Sequence, residues 1–273
     1  MMTIWKFFSK IVVPVLANLG GTFQRANKIS GLINHVGLEA YIKIKYPFIS
    51  LGKYIIFNLD TYNRELKLRK NSIDSEVFKY TFYDQFHKPI SQVNIGSAPL
   101  ILDFGANIGF SVLMYKHWYP DAKIIAFELD QDNYNLAIYN TRGLENVTIH
   151  NKAISDRSSI VSYNKSGRED GYVILDPMDN CGDVKIESLS INDVISEYNI
   201  TTINYVKIDI EGTEVDILRA KDLSWMRLVK NINIEFHTIE DDMSEFIDIL
   251  TCQGFEVYRH DDHWSSISGI RRN

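Results

Sequence analysis

Short apolar runs alternate with longer amphipathic segments from about residue 100 to the end of the chain. Five of these runs have the length and the β-branched content of strands that are buried on both faces. They are LILDF (100 to 104), KIIAFELD (123 to 130), VTIHNKAI (147 to 154), NYVKIDI (204 to 210) and VKNINIEF (229 to 236). Because helical patterns follow most of them, the sequence predicts βαβ units, which form a parallel sheet with helices on both faces.

The chain ends in a different pattern. Residues 254 to 270 contain two strand-like runs with only the short segment HDDH between them. A connection this short allows a hairpin but no crossover, so the last pair is predicted to be antiparallel. The predicted fold is therefore α/β, with a seven-stranded, mostly parallel sheet and an antiparallel C-terminal hairpin.

The N-terminal part is predicted to be an extension of the main domain. YIIFNLD and ELKLRK, between residues 54 and 70, have the pattern of a β-hairpin. We divide the chain into an extension, residues 1 to 70, which partly caps the cleft, and an α/β domain, residues 71 to 273.

Residues 1 to 20 place Lys6 and Lys10 before a short apolar run that Pro14 interrupts. The run is too short to cross a bilayer, which needs about 20 apolar residues. Three interpretations stay open: an amphipathic helix packed on the domain, a helix on a membrane surface, and a cleaved signal. We favour the first two.

Composition narrows the class of protein. The 273 residues are 45% hydrophobic and 23% charged, which is typical of a soluble globular chain. A net charge of -6 has the wrong sign for a protein that binds nucleic-acid phosphates. Cys181 and Cys252 are too far apart in sequence to suggest a disulfide framework or a zinc knuckle. We expect a reducing, cytoplasmic location, with residues 1 to 20 as a candidate peripheral membrane contact.

A glycine-bearing turn, Asp103 to Ser111, follows the first buried run and opens a helix. Gly105 and Gly109 remove side chains where the backbone must approach a ligand, and the helix start favours an anion such as a carboxylate. Asn107 is predicted to be the N-cap. The alternative is that both glycines only pack helix against strand.

Glu128 at the end of the next strand supports a nucleoside ligand. It comes 23 residues after Gly105, where an acidic side chain can accept hydrogen bonds from both ribose hydroxyls. The dinucleotide pattern G-x-G-x-x-G is absent, because Ala106 and Asn107 leave G-x-x-x-G. This argues against NAD or FAD, whereas an adenosine joined to an amino acid needs only the carboxylate and ribose contacts.

Candidate catalytic residues lie at the carboxyl ends of the fourth and fifth buried strands. Period-two spacing places Lys207, Asp209 and Glu211 on one face of the fourth strand. Glu235 and His237 have the same spacing on the fifth, and an imidazole is the natural general base near neutral pH. The alternative is structural: an ion pair from Lys207 to Asp209 or Glu211, with Glu211 capping the next helix.

Asp209, Glu211, Glu235 and His237 also have the ligand types of a divalent cation site, but nothing in their spacing demands one. We therefore predict no metal. The remaining histidines have no convergent partners in the sequence and are predicted to be at the surface. They are His35, His87, His117, His150, His260 and His263.

ILDFGANIGFS, AFELD and KIDIEGTEVDILRA together resemble the FkbM family of S-adenosylmethionine-dependent methyltransferases, which have the Rossmann-like class I fold. KIDIEG is the most specific of these segments, and the resemblance covers about residues 70 to 270. It implies S-adenosylmethionine as the cofactor, with contacts from the glycine turn, from Glu128 and from the backbone of 153 to 154. The full predicted cofactor set is Asp103, Gly105, Asn107, Gly109, Phe110, Ser111, Glu128, Leu129, Ala153, Ile154 and Asp209.

The family resemblance implies methyl transfer to an oxygen, and by analogy the acceptor is a small molecule or glycan, a sugar or other polyol. A hydroxyl acceptor needs a base, for which His237, Asp209 and Glu211 are the predicted catalytic residues. Two alternatives stay open: an RNA or protein methyltransferase of the same fold, and a non-catalytic nucleoside-binding module. The sequence sets no oligomeric state.

Overall fold

The computed structural model describes residues 37–90, 94–165, 172–175, 182–237, 243–259, 263 and 265–272. The strands of this part of the chain are β1 (Tyr54–Leu59), β2 (Arg64–Arg69), β3 (Leu100–Phe104), β4 (Lys123–Phe127), β5 (Val147–His150), β6 (Ala153–Ser155), β7 (Ser159–Tyr163), β8 (Val184–Ser190), β9 (Tyr205–Ile208), β10 (Asn231–Glu235), β11 (Phe255–Arg259) and β12 (Ser266–Arg271). The α-helices are α1 (Leu38–Lys45), α2 (Asp74–Lys79), α3 (Phe110–Trp118), α4 (Gln131–Thr141), α5 (Ile191–Glu197), α6 (Glu214–Arg219) and α7 (Ser244–Cys252).

The main sheet has seven strands in the order β11-β12-β10-β9-β3-β4-β5. β3, β4, β5, β9 and β10 pair in parallel, whereas β12 is antiparallel to both β10 and β11. The predicted seven-stranded sheet with its antiparallel C-terminal hairpin is confirmed. The chain order reverses between β3 and β9, and ligands of open parallel sheets bind beyond the carboxyl ends of the strands at such a point.

Two apolar cores cover the two faces of this sheet. Leu102 and Phe104 of β3 point into a core shared with α5, α6 and α7. Ile101 of the same strand points into the other, which includes α3 and the β1–β2 hairpin. Successive residues of a strand face opposite sides, so burial on both faces requires the continuous apolar runs of the sequence.

The run 147 to 154, predicted as one strand, forms two. β5 belongs to the main sheet, whereas β6 joins β8 and β7 in a separate three-stranded sheet. Residues 151 and 152 separate them, and the side chain of Asn151 donates to the carbonyl oxygens of Glu128 and Leu129, each at 2.9 Å. The chain therefore turns at the carboxyl end of β5, which places Ala153 and Ile154 beside the end of β4.

The predicted hairpin of residues 54 to 70 is confirmed as β1 and β2. It packs against α4, where the side chain of Asn140 accepts from the N–H of Lys67 at 2.8 Å and donates to its carbonyl oxygen at 3.2 Å.

The domain division at residue 70 stays a prediction. Within the described residues no helix is long and apolar enough to cross a membrane, and the N-terminal segment 1 to 20 lies outside them.

Candidate active site

A cavity of about 830 Å³ opens at the carboxyl ends of the parallel strands. Residues from β4, β9 and β10 line it, together with residues from the turns that follow β3, β4, β9 and β10. Most of the site residues predicted from the sequence are among them: Gly105, Asn107, Phe110, Ser111, Glu128, Leu129, Ala153, Ile154, Asp209, Glu211 and His237. The described lining residues begin at Val77, so none of residues 37 to 70 lines the cavity, and the cap over the cleft stays a prediction.

The glycine turn holds three strands together at one end of this cavity. Gly105 has a φ of +89°, and a Cβ at this position would lie 1.7 Å from the carbonyl oxygen of Asp209. The N–H groups of Gly105 and Ala106 donate to the carbonyl oxygen of Phe127, at 3.0 and 2.9 Å. The close approach of the Asp209 backbone is thus sufficient reason for a glycine at 105.

The N-cap prediction for this turn is wrong, and two of its predicted cofactor contacts, Gly109 and Asp103, lie outside the described cavity lining. Asn107 is not the N-cap: α3 begins at Phe110, Gly109 precedes it, and the Asn107 side chain accepts from the N–H of Ile108 at 2.7 Å. Gly109 is outside the cavity lining, and a Cβ there would lie 3.0 Å from Cα of Ala137, so it packs α3 against α4 as the alternative interpretation has it.

Asp103 also lies behind the cavity wall. Its side chain is completely buried, accepts from the Ser111 hydroxyl at 2.5 Å, and lies 3.3 Å from Nζ of Lys207. Asp103 therefore positions two residues that line the cavity instead of lining it itself.

Glu128 lines the cavity from the end of β4 and is tied to the glycine turn. Its carboxylate accepts from the N–H of Asn107 at 2.8 Å, from the N–H of Asp130 at 2.9 Å and from the side chain of Asn133 at 3.2 Å. Burial raises the pKa of this carboxyl to about 7, although these hydrogen bonds oppose the shift. A carboxylate has about four acceptor positions, so capacity remains for a hydroxyl donor.

Lys207 and Asp209 form the ion pair that the sequence offered as an alternative, yet Asp209 also faces the cavity. Nζ of Lys207 lies 3.2 Å from Oδ2 of Asp209 and donates to the carbonyl oxygen of Gly105 at 2.7 Å. Burial alone would lower the pKa of Lys207, but the carboxylates of Asp103 and Asp209 outweigh it and raise that pKa. Burial acts in the opposite direction on Asp209, where Lys207 and His87 outweigh it and hold the pKa well below its usual value.

His237 lies among four carboxylates. Nδ1 is 3.1 Å from Oε1 of Glu214, and Nε2 is 3.4 Å from Asp209, 3.4 Å from Glu211 and 3.6 Å from Glu235. Burial lowers the pKa of the ring, but the bond to Glu214 and the other carboxylates outweigh it and raise the pKa to about 10. In this arrangement the ring is protonated at neutral pH, so the predicted base must lose this proton before it can accept one from a substrate.

Glu214 was not among the predicted site residues. It is fully buried, and its carboxylate accepts from the backbone N–H groups of Gly212 at 2.6 Å and of His237 at 2.7 Å. It begins α6, so Glu211 does not cap this helix, contrary to the structural alternative. In the sequence, an acidic residue in a first helical turn indicates only a favourable interaction with the helix dipole.

The surface predictions for His87 and His263 are wrong. His87 is buried, and its Nε2 lies 3.3 Å from Oδ2 of Asp209 and 3.5 Å from Oε2 of Glu235. His263 Nε2 lies 3.1 Å from Oε1 of Glu235, and its ring stacks on Phe86 at 4.2 Å. His117 is exposed as predicted and His150 is partly buried, whereas His35 and His260 are outside the described residues.

The sheet order, with its switch between β3 and β9 and its antiparallel end, defines a Rossmann-like class I methyltransferase fold, and the cavity occupies the position of the ligand site in such sheets. The sequence profile of the methyltransferase FkbM domain matches residues 103–257. The chain belongs to this family of methyltransferases.

Individual relatives have low sequence identity to this chain. Methyltransferase 1 of Beauveria bassiana is 24% identical over 226 residues, which cover 74% of this chain and 88% of the relative. The 31-O-demethyl-FK506 methyltransferase FkbM of Streptomyces tacrolimicus is 23% identical, with 62% and 77% covered. The solved structure of methyltransferase FkbM from Methylobacillus flagellatus is 16% identical with a TM-score of 0.47, and the match covers 72% of this chain and 53% of that chain.

Proposed function

We propose that this protein transfers a methyl group from S-adenosylmethionine to a hydroxyl oxygen of a sugar or other small polyol. One observation carries the proposal: a single cavity joins a nucleoside-type subsite around Glu128 to a group of carboxylates and imidazoles around Asp209. The name of the Streptomyces relative, which denotes methylation at an oxygen, supports the oxygen acceptor.

The cofactor end has groups that suit the donor. Glu128 retains acceptor capacity for a ribose hydroxyl, and contact with both hydroxyls requires it to release one of its present N–H bonds. Phe110 and Ser111 open α3, where backbone N–H groups without intrahelical partners favour a carboxylate. When bound, the donor supplies a methyl group on a sulfonium that already carries its leaving group.

The acceptor end has groups that suit a hydroxyl-bearing substrate. Asp209, Glu211 and Glu235 present carboxylate oxygens, which accept hydrogen bonds from hydroxyls. Beside them Phe86 stacks between Tyr80, at 5.0 Å, and His263, at 4.2 Å. These rings offer an apolar surface to the carbon side of a polyol, while the carboxylates take its hydroxyls.

Charge at the cavity argues against RNA as the acceptor. The described lining residues include four carboxyl groups, Glu128, Asp209, Glu211 and Glu235, against Lys152, Lys207 and the protonated ring of His237. Lys207 is already paired with Asp103 and Asp209. The lining therefore has no excess of positive charge, which a site that binds RNA phosphates needs.

In the reaction the acceptor oxygen forms a bond to the methyl carbon as the bond from carbon to sulfur breaks, and the hydroxyl proton leaves. The proton passes to the group formed by His237, Asp209 and Glu211, after the His237 ring has lost the proton that it carries at neutral pH. A base in position contributes typically 10² to 10⁴-fold to the rate, and alignment of the reacting atoms contributes the larger part.

Two measurements test the proposal in order. Calorimetry with S-adenosylhomocysteine should show one site per chain, and no binding at millimolar ligand would overturn the cofactor assignment. Incubation with isotope-labelled donor and a panel of sugars and polyols should then give a labelled methyl ether. Label found in RNA or protein, and in none of the polyols, would overturn the acceptor assignment.

A further inference from the structure

We infer that His87, Asp209 and Glu235 form a binding site for one divalent metal cation at the acceptor end of the cavity. The three residues come from a loop and from the ends of β9 and β10, and one ligand atom from each lies within 4.8 Å of the others. Nε2 of His87 is 3.3 Å from Oδ2 of Asp209 and 3.5 Å from Oε2 of Glu235. All three residues line the cavity, so a cation here is accessible to a ligand.

These separations are compatible with ligand atoms that share one metal ion. A charge-assisted hydrogen bond from imidazolium to carboxylate is typically about 2.7–2.9 Å long, shorter than both distances. Two ligands at about 2.1 Å from one ion lie roughly 3.0 Å apart in octahedral and roughly 3.4 Å apart in tetrahedral geometry. The positions of the two carboxylates about His87 are therefore compatible with two ligands of one ion, although Asp209 is also a hydrogen-bond partner of His87.

Asn233, which contacts the ring on the side away from the carboxylates, sets the tautomer of His87. Ser266 donates its hydroxyl to the carbonyl oxygen of Ile234 at 3.2 Å, so its oxygen accepts from the side-chain N–H₂ of Asn233 at 3.1 Å. This orientation leaves Oδ1 of Asn233 facing Nδ1 of His87 at 3.0 Å, and Nδ1 is then the nitrogen that donates. Nε2 is left to face the carboxylates, the arrangement typical of a histidine that binds a metal.

The loop that carries His87 is also fixed. The hydroxyls of Tyr115 and Tyr205 both donate to the His87 carbonyl oxygen, at 3.1 and 2.9 Å. Both tyrosines are buried, and burial raises the pKa of each phenol, so both remain donors at neutral pH. Preorganisation of this kind keeps a ligand in place when the metal is absent.

The surrounding charge favours a dication. Five carboxylates, Asp103, Asp209, Glu211, Glu214 and Glu235, surround the site, and Lys207 is the lysine that pairs with two of them. The protonated ring of His237 balances one further charge, so the carboxylates still outnumber Lys207 and His237. The ring of His263 contacts Glu235. Lys207 keeps Asp103 and the Gly105 carbonyl oxygen as partners if Oδ2 of Asp209 turns to a metal.

One imidazole nitrogen and two carboxylate oxygens suit Mn²⁺, Fe²⁺ or Zn²⁺ better than Ca²⁺. Three protein ligands leave positions for water or a substrate oxygen. The role of the cation rests on the proposed function: an acceptor hydroxyl that coordinates it would have a lower pKa and a fixed orientation.

Mn²⁺ alone is the probe. The full chain, treated with chelator and desalted, is titrated with Mn²⁺ and followed by electron paramagnetic resonance. We expect one Mn²⁺ per chain, with pulsed spectra that show coupling to an imidazole nitrogen. His87→Ala should abolish this coupling and weaken binding at least tenfold. Glu235→Gln, which keeps the side-chain size, should also weaken binding at least tenfold.

His150→Gln is the matched control, because this histidine is bonded to Tyr198 at 2.5 Å and is not among the described lining residues. It should bind Mn²⁺ as the wild type does. Calorimetry with S-adenosylhomocysteine on the same samples reports separately on the cofactor end and on folding. The inference is overturned if the wild type fails to bind Mn²⁺ at millimolar concentration, or if nitrogen coupling persists in His87→Ala. If the wild type binds Mn²⁺ but not S-adenosylhomocysteine, the proposed function is contradicted and the metal site is supported.

Discussion

The carbonyl oxygen of Asp209 occupies the space that a side chain at Gly105 would need, with only 1.7 Å between that oxygen and an ideal Cβ. The contact joins the turn after β3 to the end of β9 and so fixes the cofactor end of the cavity relative to the acceptor end. Since the clash is with backbone, it cannot be relieved by rotation of a side chain.

An alanine held at a positive φ costs about 1–2 kcal/mol. Gly105→Ala should be more destabilising than this conformational strain alone. We expect at least about 3 kcal/mol, because a backbone shift must be added to that strain. Gly143→Ala is the matched control, since Gly143 also has a positive φ, +73°, but a Cβ at this position would have no atom within 4 Å. Urea unfolding of both variants measures the difference, and equal losses would contradict the clash.

Glu128→Gln should weaken the binding of S-adenosylhomocysteine by about 10 to 100-fold, the effect of losing a hydrogen bond to a charged group, about 1.5–3 kcal/mol. The wild-type affinity should also rise with pH through about 7, the pKa to which burial raises this carboxyl, since the ionised form accepts hydroxyl donors better. This rise should be absent in Glu128→Gln. Calorimetry at a series of pH values tests both effects, and an exposed-site variant, Glu39→Gln, should behave as the wild type.

The same carboxyl should make the protein less stable as pH rises. Its pKa is about 7 in the folded chain, against an ordinary value of 4.5, so between these values the folded state binds more protons than the unfolded state. Stability then falls with increasing pH across this window, by up to about 3 kcal/mol from this group. The free energy of unfolding of Glu128→Gln should decline less than that of the wild type between these pH values. Parallel curves would show that Glu128 has an ordinary pKa.

His237→Gln should lower single-turnover methyl transfer by 10² to 10⁴-fold, because it removes the proposed base from the reacting hydroxyl. Its affinity for S-adenosylhomocysteine should change little, since Glu128 and the glycine turn lie at the other end of the cavity. A rapid-quench assay with the identified acceptor measures the rate. Full activity in this variant would remove His237 from the catalytic group and leave Asp209 and Glu211 as candidates.

Much of the fold could be predicted from the sequence, because buried parallel strands need apolar residues on both faces and leave continuous runs. LILDF and KIIAFELD became β3 and β4, and the short HDDH connection correctly indicated an antiparallel end. The run 147 to 154 was less informative. Its division into β5 and β6 depends on the side chain of Asn151, which bonds to the turn after β4, a contact between segments about 22 residues apart.

For the site, the sequence determined which strand ends have candidate functional residues. The glycine turn, Glu128, Asp209 and His237 all follow apolar runs, and the carboxyl ends of parallel strands meet at one edge of the sheet. Only the tertiary structure decided which other groups join them. His87 lies on a loop without strand or helix periodicity, and Glu214 is in a helical turn where a surface role was equally consistent with the pattern. Burial and neighbouring charges also set the pKa values of Glu128 and His237, and these depend on side chains that are distant in the chain. Local periodicity records which face of an element is apolar, whereas distances between side chains on different elements arise only when the chain has packed.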